Sequence, residues 1–173
     1  MTQSQITEYF EDLAKRFIPI SHDPQGIKRF SVIDSDTISE EIRHDLNFNN
    51  WCMLLEEAAP RIESNETKAF NEYYTFRFTV CKDISRLNFT QKRQTKEDSL
   101  QLSKQIFAHI IESYKGSKLF NAVNPFALKN IQFKANFEYY EDILNENLLG
   151  TDCLITIYGS FNAKIYNNQT LWN

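Results

Sequence analysis

With 173 residues, 42% of them hydrophobic and 24% charged, the chain has the size and balance of one globular domain, and four glycines with four prolines leave little room for a flexible linker. Its formal charge of −4 arises from interspersed acidic and basic residues, which argues against sequence-independent binding to a polyphosphate. No stretch approaches the ~18 apolar residues that cross a bilayer, and the opening MTQSQITEYFEDLAKRF lacks the features of a signal peptide, so a single domain over 1–173, without membrane contact and staying where it is made, is expected.

From the N-terminus, Ile6, Tyr9, Phe10, Leu13, Ala14, Phe17 and Ile18 recur at three- and four-residue spacing and predict an amphipathic helix that stops near Ile18, ahead of Pro19. Lys28 to Asp34 reads as a short, partly alternating strand, and the polar stretch after it has room for one helical turn around Ser39 to His44. Trp51 to Ile62 predicts a second strand in which Pro60 implies an edge or a bulge. A turn through SNETK leads to a third strand over Phe70 to Lys82, with Phe70, Tyr74, Phe76, Phe78 and Val80 on one face and Tyr73, Thr75, Arg77, Thr79 and Cys81 on the other.

Thr95 followed by Glu97 and Asp98 predicts the start of a second helix, with Leu100, Phe107, Ile110, Ile111 and Tyr114 inward and Gly116 as C-cap. Ile131 to Tyr139 alternates without a break and predicts a strand whose wet face carries Gln132, Lys134, Asn136 and Glu138. A turn over Glu141 to Gly150 precedes a last strand with Cys153, Ile155, Ile157, Gly159, Phe161, Ala163 and Ile165 on one face. The order α-β-β-β-α-β-β predicts an α+β fold: a mostly antiparallel sheet of about five strands with two main helices packed on one face.

Chemistry-bearing patterns are sparse. The glycines are isolated and form no phosphate loop, so no cofactor is expected. His22-Asp23 and His44-Asp45 each offer two metal donors, but His22, His44 and His109 share no ligand spacing and read more simply as solvated residues. Cys52, Cys81 and Cys153 form no Cys-x-x-Cys pair, and the last two lie within strand patterns, where a reduced core thiol is the plainer reading than a nucleophile. Glu56-Glu57 and Glu138, Glu141 and Asp142 read as solvated or interfacial charges rather than acid–base pairs. Fourteen phenylalanines and eight tyrosines mostly serve the core, whereas Trp51, Tyr73 and Trp172 fall on outward or terminal positions suited to a protein contact.

The C-terminal third, with Phe137-Glu138-Tyr139-Tyr140 to Asp142, then Asn145-Glu146-Asn147-Leu148-Leu149-Gly150, an alternating strand through Ile165 and a final Trp172, resembles the ending of small tail-completion proteins from phages of Bacteroidetes-type hosts. The whole element order is similar to the tail-terminator family of long-tailed phages, although that family usually places an aromatic after the turn glycine where this chain has Thr151. The resemblance implies a non-enzymatic virion protein, made in the host cytoplasm, that forms a ring with copies of itself, commonly a hexamer. Such a ring caps the tail tube and meets neck or head-completion proteins, with DNA only passing through its lumen. Trp51, Tyr73, Thr75, Arg77, Lys134, Glu138 and Trp172 are the expected contact residues. A small-molecule binder or enzyme on a curved sheet, with the Phe-rich face as pocket wall, and a monomeric adaptor acting through Trp51 are the competing expectations.

Overall fold

A computed structural model describes residues 3–33, 44–64, 70–115, 129–143 and 147–160. Its elements are α1 (Gln3–Arg16), β1 (Phe30–Ile33), β2 (Cys52–Ser64), β3 (Phe70–Asp83), α2 (Phe89–Lys115), β4 (Lys129–Ile143) and β5 (Leu148–Ser160). The class is α+β, with one five-stranded sheet in the order β1-β2-β3-β5-β4. Every neighbouring pair is antiparallel except β1 with β2.

Alternation places Met53 and Leu55 of β2, Phe76, Phe78 and Val80 of β3, and Cys153, Ile155 and Ile157 of β5 on the inner face, all buried. Against them lie Ile6, Phe10, Leu13 and Ala14 of α1 and Ile106 and Ile110 of α2. The solvent side of α1 is laced by Glu11–Lys15 and Asp12–Arg16 pairs at 2.8 and 2.6 Å, with the basic members at the negative end of the helix dipole. A smaller cluster of Ile33, Leu46, Cys52, Leu54 and Cys81 closes the opposite face of the sheet at its β1 end.

Several expectations are corrected. Ile18, placed on the buried side of the first helix, is 85% exposed. The helix ends at Arg16, the chain turns at Pro19, and Ile20 takes the core position instead. The second helix begins at Phe89 rather than Thr95, because Asn88 and Gln91 form a reciprocal capping box: Gln91 N–H donates to Asn88 Oδ1 and Asn88 N–H to Gln91 Oε1, each at 3.0 Å. Thr95 is buried within that helix, its hydroxyl donating to Gln91 O.

The inner face of α2 also differs from the apolar pattern. Thr95, Ser99, Ser103, Ile106 and Ile110 are buried, whereas Leu100 and Ile111 are only half-buried. Small hydroxyl residues bring this part of α2 against β5, where Ser99 Oγ and Thr151 Oγ1 share a hydrogen bond of 2.7 Å. Pro60 is preceded by the expected irregularity, a register shift between Glu56 and Ala59. Gly150 is not a turn residue, since it lies in β5 opposite Cys81 and Tyr140, and Asn147, at φ 54°, takes the left-handed position before the strand. Gly116, Ser39, Trp172 and the final strand beyond Ser160 lie outside the described residues.

Candidate functional site

The side of the sheet turned away from both helices gathers polar side chains from four strands. Antiparallel register sets Arg77 of β3 opposite Glu56 of β2, and Thr79 of β3 opposite Asp152 of β5, which in turn faces Glu138 of β4. Arg77 Nη1 donates to Glu56 Oε1 at 3.0 Å and its Nε lies 3.8 Å from Asp152 Oδ2. Thr79 Oγ1 donates to Asp152 Oδ1 at 2.5 Å. Further along, Thr75 and Thr156 face each other, and Tyr73 stacks on Tyr158 at 5.4 Å between ring centres, with the Tyr158 hydroxyl donating to Gln132 Oε1.

Thr79 and Asp152 are only 6% and 8% exposed although they sit on the outer face. Burial raises the Asp152 pKa above the ordinary carboxylate range; the Thr79 hydrogen bond and the Arg77 charge pull it down, and Glu56 and Glu138 push it up. Burial opposes the charge of Arg77, but Glu56 and Asp152 outweigh it and hold the guanidinium firmly protonated. Glu56 and Asp152 therefore flank Arg77, Glu138 lies beyond Asp152 on β4, and these three carboxylates against Arg77 and Lys134 leave the face leaning acidic.

A carboxylate whose folded pKa is raised binds protons more readily in the folded than in the unfolded state, so its contribution to stability falls as pH climbs from near ~3.9 to the folded value. The stability of wild type relative to Asp152→Asn is expected to drop across that interval and then level off. Urea unfolding of both proteins at a series of pH values checks this, because the difference cancels every titrating group that does not interact with Asp152.

Of the expected contact residues, Tyr73, Thr75 and Arg77 do share one stripe of the outer face. Lys134 and Glu138 share the same side but stand on β4, with β5 between them and that stripe. Trp51 does not join them: it is half-buried against the main core, with Lys82 Nζ 4.6 Å over its ring. Glu56, expected as a solvated or interfacial charge, is a partner of Arg77, and Asp152 joins them with no motif in the sequence to announce it. A lone acid in the apolar run Leu148 to Ile157 was the available signal.

Other candidates resolve into structural roles. His22 is buried, its Nδ1 accepts from Arg29 N–H at 3.0 Å, and burial lowers its pKa. Among the described residues no group of three or more His, Cys, Asp or Glu side chains is placed to hold a metal. Cys52, Cys81 and Cys153 are fully buried free thiols, with burial raising Cys52 and Cys153 to about 12 and Cys81 well above its usual value, so all three are neutral at physiological pH. The Phe-rich inner face is packed beneath the helices, where Phe10 meets Phe76 edge-on at 5.3 Å. Among the described residues no helix is long and apolar enough to cross a membrane. No protein-family model matches the chain, and no curated protein matches it.

Proposed function

We propose that this chain is a virion assembly protein of the tail-terminator or neck class, a structural subunit that joins copies of itself into a ring at the head-proximal end of a tail tube. The observation that carries this reading is the outer sheet face. It presents ordered aromatic, hydroxyl and charged pairs from β2, β3 and β5 on a surface that neither helix covers. A ring needs two different complementary surfaces on each subunit. The acidic-leaning outer face supplies one, and the helical side, where Arg16 and His109 border a cleft of about 370 Å³ between α1 and α2, supplies the other.

Neck or head-completion proteins and the tail tube are the partners this role requires, and a chain of net charge −4 lets DNA slide through a lumen without adhering. Phage particles lacking the gene are expected to carry tails longer than those of the parent, and the purified protein to form rings visible by negative-stain electron microscopy. Tails of unchanged length, together with an absence of rings at high protein concentration, would overturn the reading.

A further inference from the structure

Among the described residues β4 is, with β1, one of the two outermost strands of the sheet, and it has a second edge. Among the described residues it pairs only with β5, so every second residue of β4 turns its N–H and C=O groups away from the sheet. Its pairing with β5 is unbroken from Gln132 to Glu141, with register shifts confined to the two ends, and that stretch contains no proline. A long regular edge of this kind is a template for another strand.

The side chains on it identify the strand that fits. Lys134 and Glu138 are both exposed, and neither has an oppositely charged partner among the described residues. Four residues apart on one strand, they stand roughly 13 Å from each other, too far to pair within the chain. Glu138 accepts from Asn136 Nδ2 at 2.7 Å through Oε1, which leaves its second oxygen for another donor.

We propose that β4 pairs antiparallel with β4 of a second copy across a two-fold axis at Asn136. In that register Lys134 lies opposite the partner's Glu138 and Glu138 opposite the partner's Lys134, so one sequence satisfies both charges twice. Moving the axis by one residue to either side sets Lys134 or Glu138 against Asn136 instead and loses both pairs, so the charges select a single register. On the inner side the same axis brings Ala135 against the partner's Phe137, extending the apolar face. The product is a continuous ten-stranded sheet with the helices of both copies on one side.

This contact is closed and self-complementary, whereas a ring contact is head-to-tail, so the two are independent. β4 pairing makes a dimer of a chain that forms no ring and a double ring of one that does. Lysine on an edge strand also serves in some proteins to prevent edge pairing, and charge reversal separates the two roles. Light scattering and sedimentation of the full chain are measured over a concentration series for wild type, K134E, E138K and the K134E/E138K double variant, with circular dichroism to check folding.

Each single reversal sets like charges opposite one another twice and is expected to weaken association at least about tenfold, halving the mass at intermediate concentration. The double variant, which restores opposite charges across the axis, is expected to recover the wild-type mass. A K134E protein with the wild-type mass at every concentration, a wild type whose mass never exceeds that of K134E, or a double variant as weak as the singles each overturns the proposal. Failure of the ring alone leaves the twofold mass ratio between wild type and K134E intact.

Discussion

Gly150→Ala is expected to destabilise the fold by about 3 kcal/mol. A Cβ at that position would lie 2.7 Å from Cys81 Cβ and 3.0 Å from Cys81 Cα, and closer still to the carbonyl oxygen of Val80. Directly opposed residues in an antiparallel pair normally hold their Cβ atoms about 4.5–5.5 Å apart. Nothing nearby can yield cheaply. Cys81 and Val80 belong to β3, which is tied to β2 on one side and β5 on the other, and Cys81 is enclosed with Cys52 and Leu54 in the smaller core. Relief requires the β3–β5 ladder to part where the strands also carry Thr79 and Asp152, so the outer polar network should loosen together with stability. Urea unfolding measures the loss, and Gly26→Ala is the control. A Cβ at Gly26 meets only the side chain of Asp23, at 2.6 Å from Oδ2 in an exposed loop, and that side chain can swing away at the loss of the bond its Oδ1 accepts from Gln25 N–H, about 0.5–1 kcal/mol.

Phe10→Ala is expected to cost about 3–5 kcal/mol and to release α1 before the rest of the fold. Phe10 is 1% exposed and its ring meets Phe76 at 5.3 Å, Phe78 at 5.8 Å and Tyr9 at 5.5 Å, so it is the anchor between α1 and the centre of the sheet. Of the remaining attachments on that face, Ile6, Leu13 and Ala14 are smaller and Tyr9 makes its edge-on contact with Phe10 itself, and a 14-residue helix with no tertiary face has little stability of its own in water. Amide hydrogen exchange is expected to quicken across α1 in the variant while the β3–β5 ladder stays protected. Ile18→Ala, two residues past the helix at an 85% exposed site, should change stability by less than about 0.5 kcal/mol. Equal losses at the two sites would mean that α1 docks differently.

The places where reading the chain succeeded and failed follow a physical line. Phe76, Phe78 and Val80, or Lys134, Asn136 and Glu138, declare their faces because strand side chains alternate by local geometry alone. Ile18 misled because one proline ended the periodicity two residues before the apolar run ended. The hydroxyl stripe Thr95, Ser99, Ser103 escaped notice because a helix face can be buried by small polar residues that bond to a neighbouring strand, as Ser99 does to Thr151. Asn88 and Gln91 carry a capping signal three residues apart that starts the helix at Phe89, ahead of Thr95 and the carboxylates after it, because it satisfies two orphan N–H groups at once. Trp51 looked like a free aromatic, yet a residue just ahead of a central strand is close enough to the core to be drawn against it.

By itself the sequence determined the kinds and order of the elements, the α+β class, and which residues of each strand share a face, since all of these depend on neighbours a few positions away. Only the tertiary structure decided that β5 enters between β3 and β4, that β1 runs parallel to β2, and hence that Glu56, Arg77 and Asp152 meet. Strands recognise one another largely through backbone groups common to every residue, so their partners and register emerge from the packing of the whole sheet.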